Sequence, residues 1–156
     1  MISNPNIIGR IMAVSVSDKK GVKKTNKPQA QLLVNHGING DAHAGEWHRQ
    51  VSLLAEESIQ KMRLKGITVK SGDFAENVTT EGLALWNLPV GFRFRLGEDT
   101  LLEVTQIGKK CHRGCAIFKQ VGDCIMPREG IFARVLQGGT IRPGDPILPV
   151  PGKQEI

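Results

Sequence analysis

Turn-forming residues recur so closely along this chain of 156 residues that no apolar run grows long, and that spacing is its strongest constraint on fold. Eighteen glycines and eight prolines punctuate it, leaving apolar runs of strand length rather than helix length. Glycine admits positive-φ turns, whereas proline stops helices and central strands. The pattern predicts a mainly β fold, a compact sheet or barrel with a few short helices. With five Phe, two Trp and no Tyr, its core must be built mainly from Val, Ile, Leu and Ala.

Individual segments sharpen this reading. Residues 7–17 form a first strand, with Ala13-Val14-Ser15-Val16-Ser17 alternating as a half-buried strand does. The loop DKKGVKKTNKPQ, with Lys19, Lys20, Lys23, Lys24 and Lys27, reads either as a solvated segment or as a mobile arm for an anionic ligand or partner. Residues 30–34 make a second strand leading into GINGDAHAGEWHRQ, where Gly37, Gly40 and Gly45 allow tight turns that gather polar side chains. From Leu53 to Leu64 the spacing predicts a helix, with Leu54, Ile59 and Met62 near one face, Glu57 set to pair with Lys61, and Gly66 as its stop. Residues 92–96 and 100–107 alternate on either side of Gly97-Glu98-Asp99 and predict a hairpin. Ile131, Phe132, Val135 and Leu136 share a helical face ending at Gly138-Gly139, and a turn at Arg142-Pro143-Gly144-Asp145 precedes a last strand over 146–150.

The length suits one domain, residues 1–156 with a core over about 7–150, burying roughly 68–70% of the surface its unfolded form exposes. No run approaches the roughly 18 apolar residues of a membrane span, and the first residues carry no secretory h-region. Three cysteines, an odd number, do not make a secreted disulfide framework, so the chain reads as cytoplasmic with free thiols. The net charge of +6 suits a phosphorylated small ligand as well as a polyanion. Nucleic acid is the weaker reading, since Lys and Arg are scattered, barely interleaved with aromatics, and no nucleic-acid-binding motif occurs.

Chemistry concentrates in residues 109–132, KKCHRGCAIFKQVGDCIMPREGIF, which hold Cys111, Cys115 and Cys124 among basic residues. Nearby positive charge favours thiolate, the form that acts as nucleophile or soft-metal ligand. Cys111 and Cys115 share a face on a helical turn, and on a strand share one about 13 Å apart; the alternative is small buried hydrophobes. A zinc site is poorly matched, because Cys124 has no close cysteine partner. Asp41, His43, His48 and Arg49 form a second polar group, read as ordinary loop histidines or as metal ligands. Asp73, Glu76, Asn77, Thr79 and Thr80 form a third, suited to a polar heterocycle or to capping turns. No phosphate-binding P-loop, GxGxxG or GxSxG occurs.

Three segments in order, GDAHAGEWHRQVSLL, GDFAENVTTEGLALWNLPVG and LLEVTQIGKKCHRGCAIFKQVGDCIMPREGIFARV, resemble the MOSC domain, named for the C-terminal region of molybdenum-cofactor sulfurases. The likeness runs from about residue 7 to the RPGDPI turn and is greatest to the small stand-alone bacterial proteins of that family. It implies a β-barrel of the pyruvate kinase barrel kind and a pocket for molybdopterin-type molybdenum cofactor. It further implies a cysteine that carries sulfur as a persulfide or ligates molybdenum, in sulfur transfer or in reduction of N-hydroxylated substrates. The C-x-R-C run of amidoxime-reducing members points to Cys115, although CHRGC has one extra residue; a single-cysteine S-P-C-Y-K context points to Cys111. Those two rank level as catalytic and metal-binding candidates, with Cys124 behind. Arg49, Lys109, Arg113 and Arg128 are the candidates for the cofactor phosphate, and Asn77 for the pterin edge. A pyridoxal-phosphate domain has no room here, so sulfur would come from a separate cysteine desulfurase. The alternative is a non-catalytic carrier delivering cofactor to a molybdoenzyme.

Overall fold

The computed structural model describes residues 7–20, 22–108 and 126–150. In chain order its strands are β1 (Gly9–Val16), β2 (Thr25–Lys27), β3 (Ala30–Leu33), β4 (Gly37–Ile38), β5 (Val51–Ala55), β6 (Val78–Glu81), β7 (Arg93–Leu96), β8 (Thr100–Ile107), β9 (Ile131–Gln137), β10 (Gly139–Ile141) and β11 (Pro146–Pro149). Helix α1 (Glu56–Arg63) follows β5, a 3-10 turn (Leu85–Asn87) precedes β7, and the one-turn helix α2 (Met126–Glu129) leads into β9. Among the described residues no helix is long and apolar enough to cross a membrane.

Seven strands close a barrel in the order β11–β7–β8–β9–β5–β6–β1 and back to β11. Strand direction cannot alternate all the way around a ring with an odd number of members, so at least one neighbouring pair must be parallel. That pair is β5–β6. Parallel neighbours need a crossover connection, and residues 56–77 supply it with α1. The mainly β barrel expected from the turn spacing is therefore the fold, and the hairpin expected over residues 92–107 is β7–β8.

The barrel interior is filled by Ile11, Leu53, Val78, Phe94, Leu102 and Ile131 with their neighbours. Each large apolar side chain fully buried there stabilises the fold by about 1.5–3 kcal/mol relative to exposure. A second cluster lies outside the wall, where Ile59 and Met62 of α1 pack with Leu54, Ile67, Val69, Phe74 and Phe132. Strand β5 is consequently buried on both faces.

Two sequence expectations fail at this double burial. The helix expected from Leu53 begins only at Glu56, because Leu53 faces the core and Leu54 faces α1 from consecutive positions of a strand. The helix expected at Ile131 is the strand β9, with Ile131, Ala133 and Val135 inward and Phe132 outward under α1. The Glu57–Lys61 pair also does not form. Glu57 accepts the Gly82 amide at 2.7 Å, and Lys61 lies 2.6 Å from Glu129.

A smaller sheet, β10–β3–β4, branches off at Gly138-Gly139. The backbone approach there is tight: a Cβ on Gly138 would sit 2.5 Å from the Leu32 carbonyl oxygen. The lysine-rich loop is not a free arm. Its residues 25–27 form β2 along β1, and Asn26 donates to the Ser71 carbonyl oxygen at 2.9 Å.

Candidate functional site

The site is prepared by an irregularity in β8. Leu102 and Val104 face the core, but the register with β9 slips between Val104 and Gln106, leaving Thr105 as an extra residue. A bulge re-aims the side chains that follow it. Gln106 thereby falls opposite Phe132, whose side chain belongs to the outer cluster.

Arg49, one residue short of the buried Gln50 that leads into β5, meets Gln106 there. Its guanidinium lies over the Phe132 ring, with Cζ 5.1 Å from the centroid, and its Nε donates to Gln106 Oε1 at 3.1 Å. The Gln106 amide nitrogen donates to the Gly108 carbonyl oxygen at 2.7 Å, which fixes the side chain's orientation. His48 Nε2 lies 2.9 Å from the same Oε1. That oxygen only accepts, so Nε2 carries the hydrogen in this contact. The Thr105 hydroxyl donates to the His48 carbonyl oxygen and ties the loop to the bulge.

The same end of the barrel holds both stems of the cysteine-bearing segment. The Gly108 amide donates to the Gly130 carbonyl oxygen at 2.6 Å, bringing together the chain on either side of residues 109–125. Glu129 of α2 is held from two directions, by the Ser58 hydroxyl and the Lys61 ammonium, each at 2.6 Å. Lys61 also lies over the Trp86 ring, 4.8 Å from its centroid. On the outer wall beside His48, a depression of about 460 Å³ opens between Trp47, Val90, Glu103 and Arg134, within the size range of small-molecule sites.

The structure sorts the sequence candidates accordingly. Arg49 stands at this end of the barrel, and Arg128 is exposed on α2 next to the anchored Glu129. Cys111, Cys115, Cys124, Lys109 and Arg113 lie outside the described residues. Asn77 is fully buried: its Oδ1 accepts from the Ser52 amide at 3.0 Å and hydroxyl at 3.1 Å, and its Nδ2 donates to the Ser15 carbonyl oxygen at 3.1 Å. Asn77, the candidate for the pterin edge, thus uses its side-chain amide to join β5 and β1 to the chain ahead of β6. Sequence reasoning missed Gln106 and Glu129. A polar residue at the end of an alternating strand was the only signal for the first, and nothing marked the second.

The glycine-loop group divides in two. His48 and Arg49 go to Gln106, whereas Asp41 and His43 go to Lys24, which is buried despite its place in the lysine-rich loop. Lys24 Nζ lies 2.8 Å from Asp41 Oδ1, 3.1 Å from Ser17 Oγ and 3.0 Å from His43 Nδ1. Burial raises the Asp41 carboxyl, but the hydrogen bond and charge of Lys24, with the Ser17 and His43 amides, outweigh it and hold the group below the ordinary carboxylate value. Glu76 goes the other way. Burial raises it, against the amides of Gly72 and Phe74 and the hydroxyl of Thr79. Among the described residues no group of three or more His, Cys, Asp or Glu side chains is placed to hold a metal ion.

A mainly β chain with a closed seven-stranded barrel and a basic, aromatic-backed site at one end is thus defined. Residues 40–148 match the MOSC domain family model, well over half of the chain, and the protein belongs to that family. Its fold is similar to YuaD from Bacillus subtilis, with a TM-score of 0.75 and 19% identity, covering 89% of this chain and 93% of that one. It is similar to YiiM from Geobacillus stearothermophilus, with a TM-score of 0.64 and 22% identity over 93% of this chain and 74% of that one. YiiM from Escherichia coli matches with a TM-score of 0.62 and 20% identity, over 94% and 72% respectively. These identities carry the likeness of fold alone. No curated protein sequence matches the chain. The MOSC family is associated with the molybdenum cofactor.

Proposed function

We propose that this protein binds a molybdopterin-type molybdenum cofactor at the barrel end where residues 109–125 leave and rejoin the wall. In this reading it acts on the cofactor through the thiolate of Cys111 or Cys115, in sulfur transfer or redox chemistry. The observation that carries the reading is Arg49, held by Gln106 and Phe132 beside both stems of the cysteine-bearing segment.

The donor set fits an anionic cofactor. A guanidinium held by Nε and stacked on an aromatic face is pre-oriented for bidentate contact with phosphate oxygens. Arg128, Lys109 and Arg113 complete the phosphate-binding set. The bound cofactor supplies a redox-active metal centre and a position that accepts sulfur. Arg49 orients its phosphate, and the basic residues around the cysteines in the sequence favour the thiolate, the form that ligates a soft metal or carries sulfane sulfur. Sulfur transfer would draw on a cysteine desulfurase as sulfur donor, and delivery on a molybdoenzyme partner.

The test is molybdenum and pterin content after anaerobic loading with molybdenum cofactor. The unsubstituted protein is expected to retain both; Arg49→Ala is expected to lose both by at least tenfold, with partial rescue by Arg49→Lys. Either Cys111→Ser or Cys115→Ser is expected to change metal retention while pterin stays bound. Retention of neither component by the unsubstituted protein, or full retention by Arg49→Ala, would overturn the reading.

A further inference from the structure

We propose that Lys24, Asp41 and His43 form a proton-operated clasp on the loop that carries Trp47, His48 and Arg49. The clasp joins three separate pieces of chain: Ser17 at the end of β1, Lys24 ahead of β2, and the glycine loop through Asp41 and His43. The Lys24 ammonium has three hydrogens and faces three acceptors, at 2.8, 3.0 and 3.1 Å. For that count to close, His43 must offer Nδ1 as a lone pair and keep its hydrogen on Nε2.

A second proton on the ring reverses the contact. Nδ1 then becomes a donor of like charge facing the ammonium, and the interaction that held the two side chains becomes repulsive. Among the described residues, the anion beside that nitrogen is Asp41 Oδ2, 3.8 Å away, on the carboxylate that already holds Lys24. The Lys24 side chain is fully buried, whereas the His43 side chain is 19% exposed, so the imidazolium is the partner that moves toward water.

The loop is wired to feel that movement. The His43 amide donates to Asp41 Oδ2 at 3.0 Å, and the His43 carbonyl oxygen accepts the Trp47 indole N–H at 2.7 Å. Among the described residues, the other charged groups around the clasp are Lys20, whose Nζ lies 5.2 Å from the Trp47 ring centroid, Glu46 and His48 on the loop itself, and Lys23, Lys70 and Asp73, which line a depression together with Lys24. Lys20 adds positive charge and so works in the direction of release. His48 is held by Gln106 and stands edge-on to Trp47 at 5.7 Å, which makes it the rival reporter. Release of His43 loosens the loop ahead of Arg49. The clasp does not depend on which ligand Arg49 takes.

The experiment uses Trp86→Phe protein, in which Trp47 is the sole indole, and follows its emission from pH ~8 to ~5, spanning the ordinary imidazole value of about 6.5. A one-proton shift of Trp47 emission to longer wavelength on acidification is expected. His43→Gln, which keeps an acceptor for Lys24 but does not titrate, is expected to abolish it, and His48→Gln to leave it in place. A step that survives His43→Gln, one that His48→Gln alone removes, or no step at all overturns the clasp. Should His43→Gln fail to fold, imidazole nitrogen shifts of the unsubstituted protein decide. Hydrogen on Nε2 of His43 above the transition supports the clasp, and hydrogen on Nδ1 sinks it.

Discussion

Asp41 stays ionised in the interior because a buried ammonium and two amides reward its charge more than burial penalises it. Its contribution to stability is therefore present above the ordinary carboxyl value of 3.8 and lost as pH falls through its lower folded value. Asp41→Asn keeps the shape but strands the Lys24 charge, a change expected to cost about 3–5 kcal/mol; the urea midpoint at pH 7 checks it, and a loss near zero would mean that Lys24 finds another partner. Glu76 carries the opposite sign. Its folded value lies above 4.5, so the folded state holds more proton than the unfolded one just above that pH, and stability falls as pH rises through this window. Relative to Glu76→Gln, the urea midpoint of the protein should fall as pH rises from 4.5 and the carboxyl ionises; a constant difference would show that the three donors fully offset burial. Thr80 has a fully buried hydroxyl with no partner among the described residues. Thr80→Val removes that desolvated group and is expected to raise stability by about 1 kcal/mol, read as a higher urea midpoint at unchanged slope. None of these residues could be told from its neighbours in the sequence. Lys24 sits in a run of lysines, and what buries it is a carboxylate seventeen positions away.

At the scale of elements, legibility followed the number of buried faces. The strands β7 and β8 bury one face each, alternate cleanly, and were readable as a hairpin. The strands β5 and β9 lie between the barrel core and the α1 cluster, so each carries buried apolar residues on both faces where it runs under α1, Leu54 and Phe132 on the outer one. A two-sided strand presents apolar residues at consecutive positions, and Leu53-Leu54 and Ile131-Phe132 then imitate part of a helical stripe. The bulge at Thr105 was equally hidden, since a slipped register leaves no mark in composition. The Gly138-Gly139 pair was read as a helix stop, whereas it is the corner at which the chain leaves the barrel for the small sheet. Its requirement is space rather than positive φ. Gly138→Ala would drive a Cβ to 2.5 Å from the Leu32 carbonyl oxygen, which is backbone and cannot rotate away. That overpacking is expected to cost about 1–3 kcal/mol. It should also loosen the β10–β3 pairing first, seen as faster amide exchange at Ala30 and Leu32 than at Val104. Unchanged exchange at those amides would mean that the corner relaxes without moving β3.

For the molecule as a whole, the order of motifs carried the family and the barrel, while the site was legible only in part. Arg49 could be named because the family resemblance implies a cofactor phosphate that basic side chains would hold, but the glutamine that orients it depends on strand register. Closing the ring sets a further condition that no local pattern records. The seam between first and last strands is short, with Gly9 opposite Ile147 and Arg10 opposite Pro146, and proline brings no N–H to the ladder. Flanking bonds from the Ile8 amide to the Ile147 oxygen and from the Ile11 amide to the Asp145 oxygen, both at 2.9 Å, complete it. Gly9 is confined there as well, since a Cβ would meet the Glu81 oxygen at 2.8 Å. By contrast β8 and β9 pair over nearly their whole lengths. Stability is distributed unevenly in such a ring, and the shortest ladder opens at the lowest free energy. Native-state hydrogen exchange in low urea should therefore show the Ile8 and Ile11 amides exchanging through a local opening with little denaturant dependence. The amides bonded between β8 and β9 should exchange only through global unfolding. If the seam amides carried the same opening free energy and the same urea dependence as those of β8–β9, the barrel would be closed as firmly at its ends as in its wall, and the packing of Ile147 in the core would be holding it.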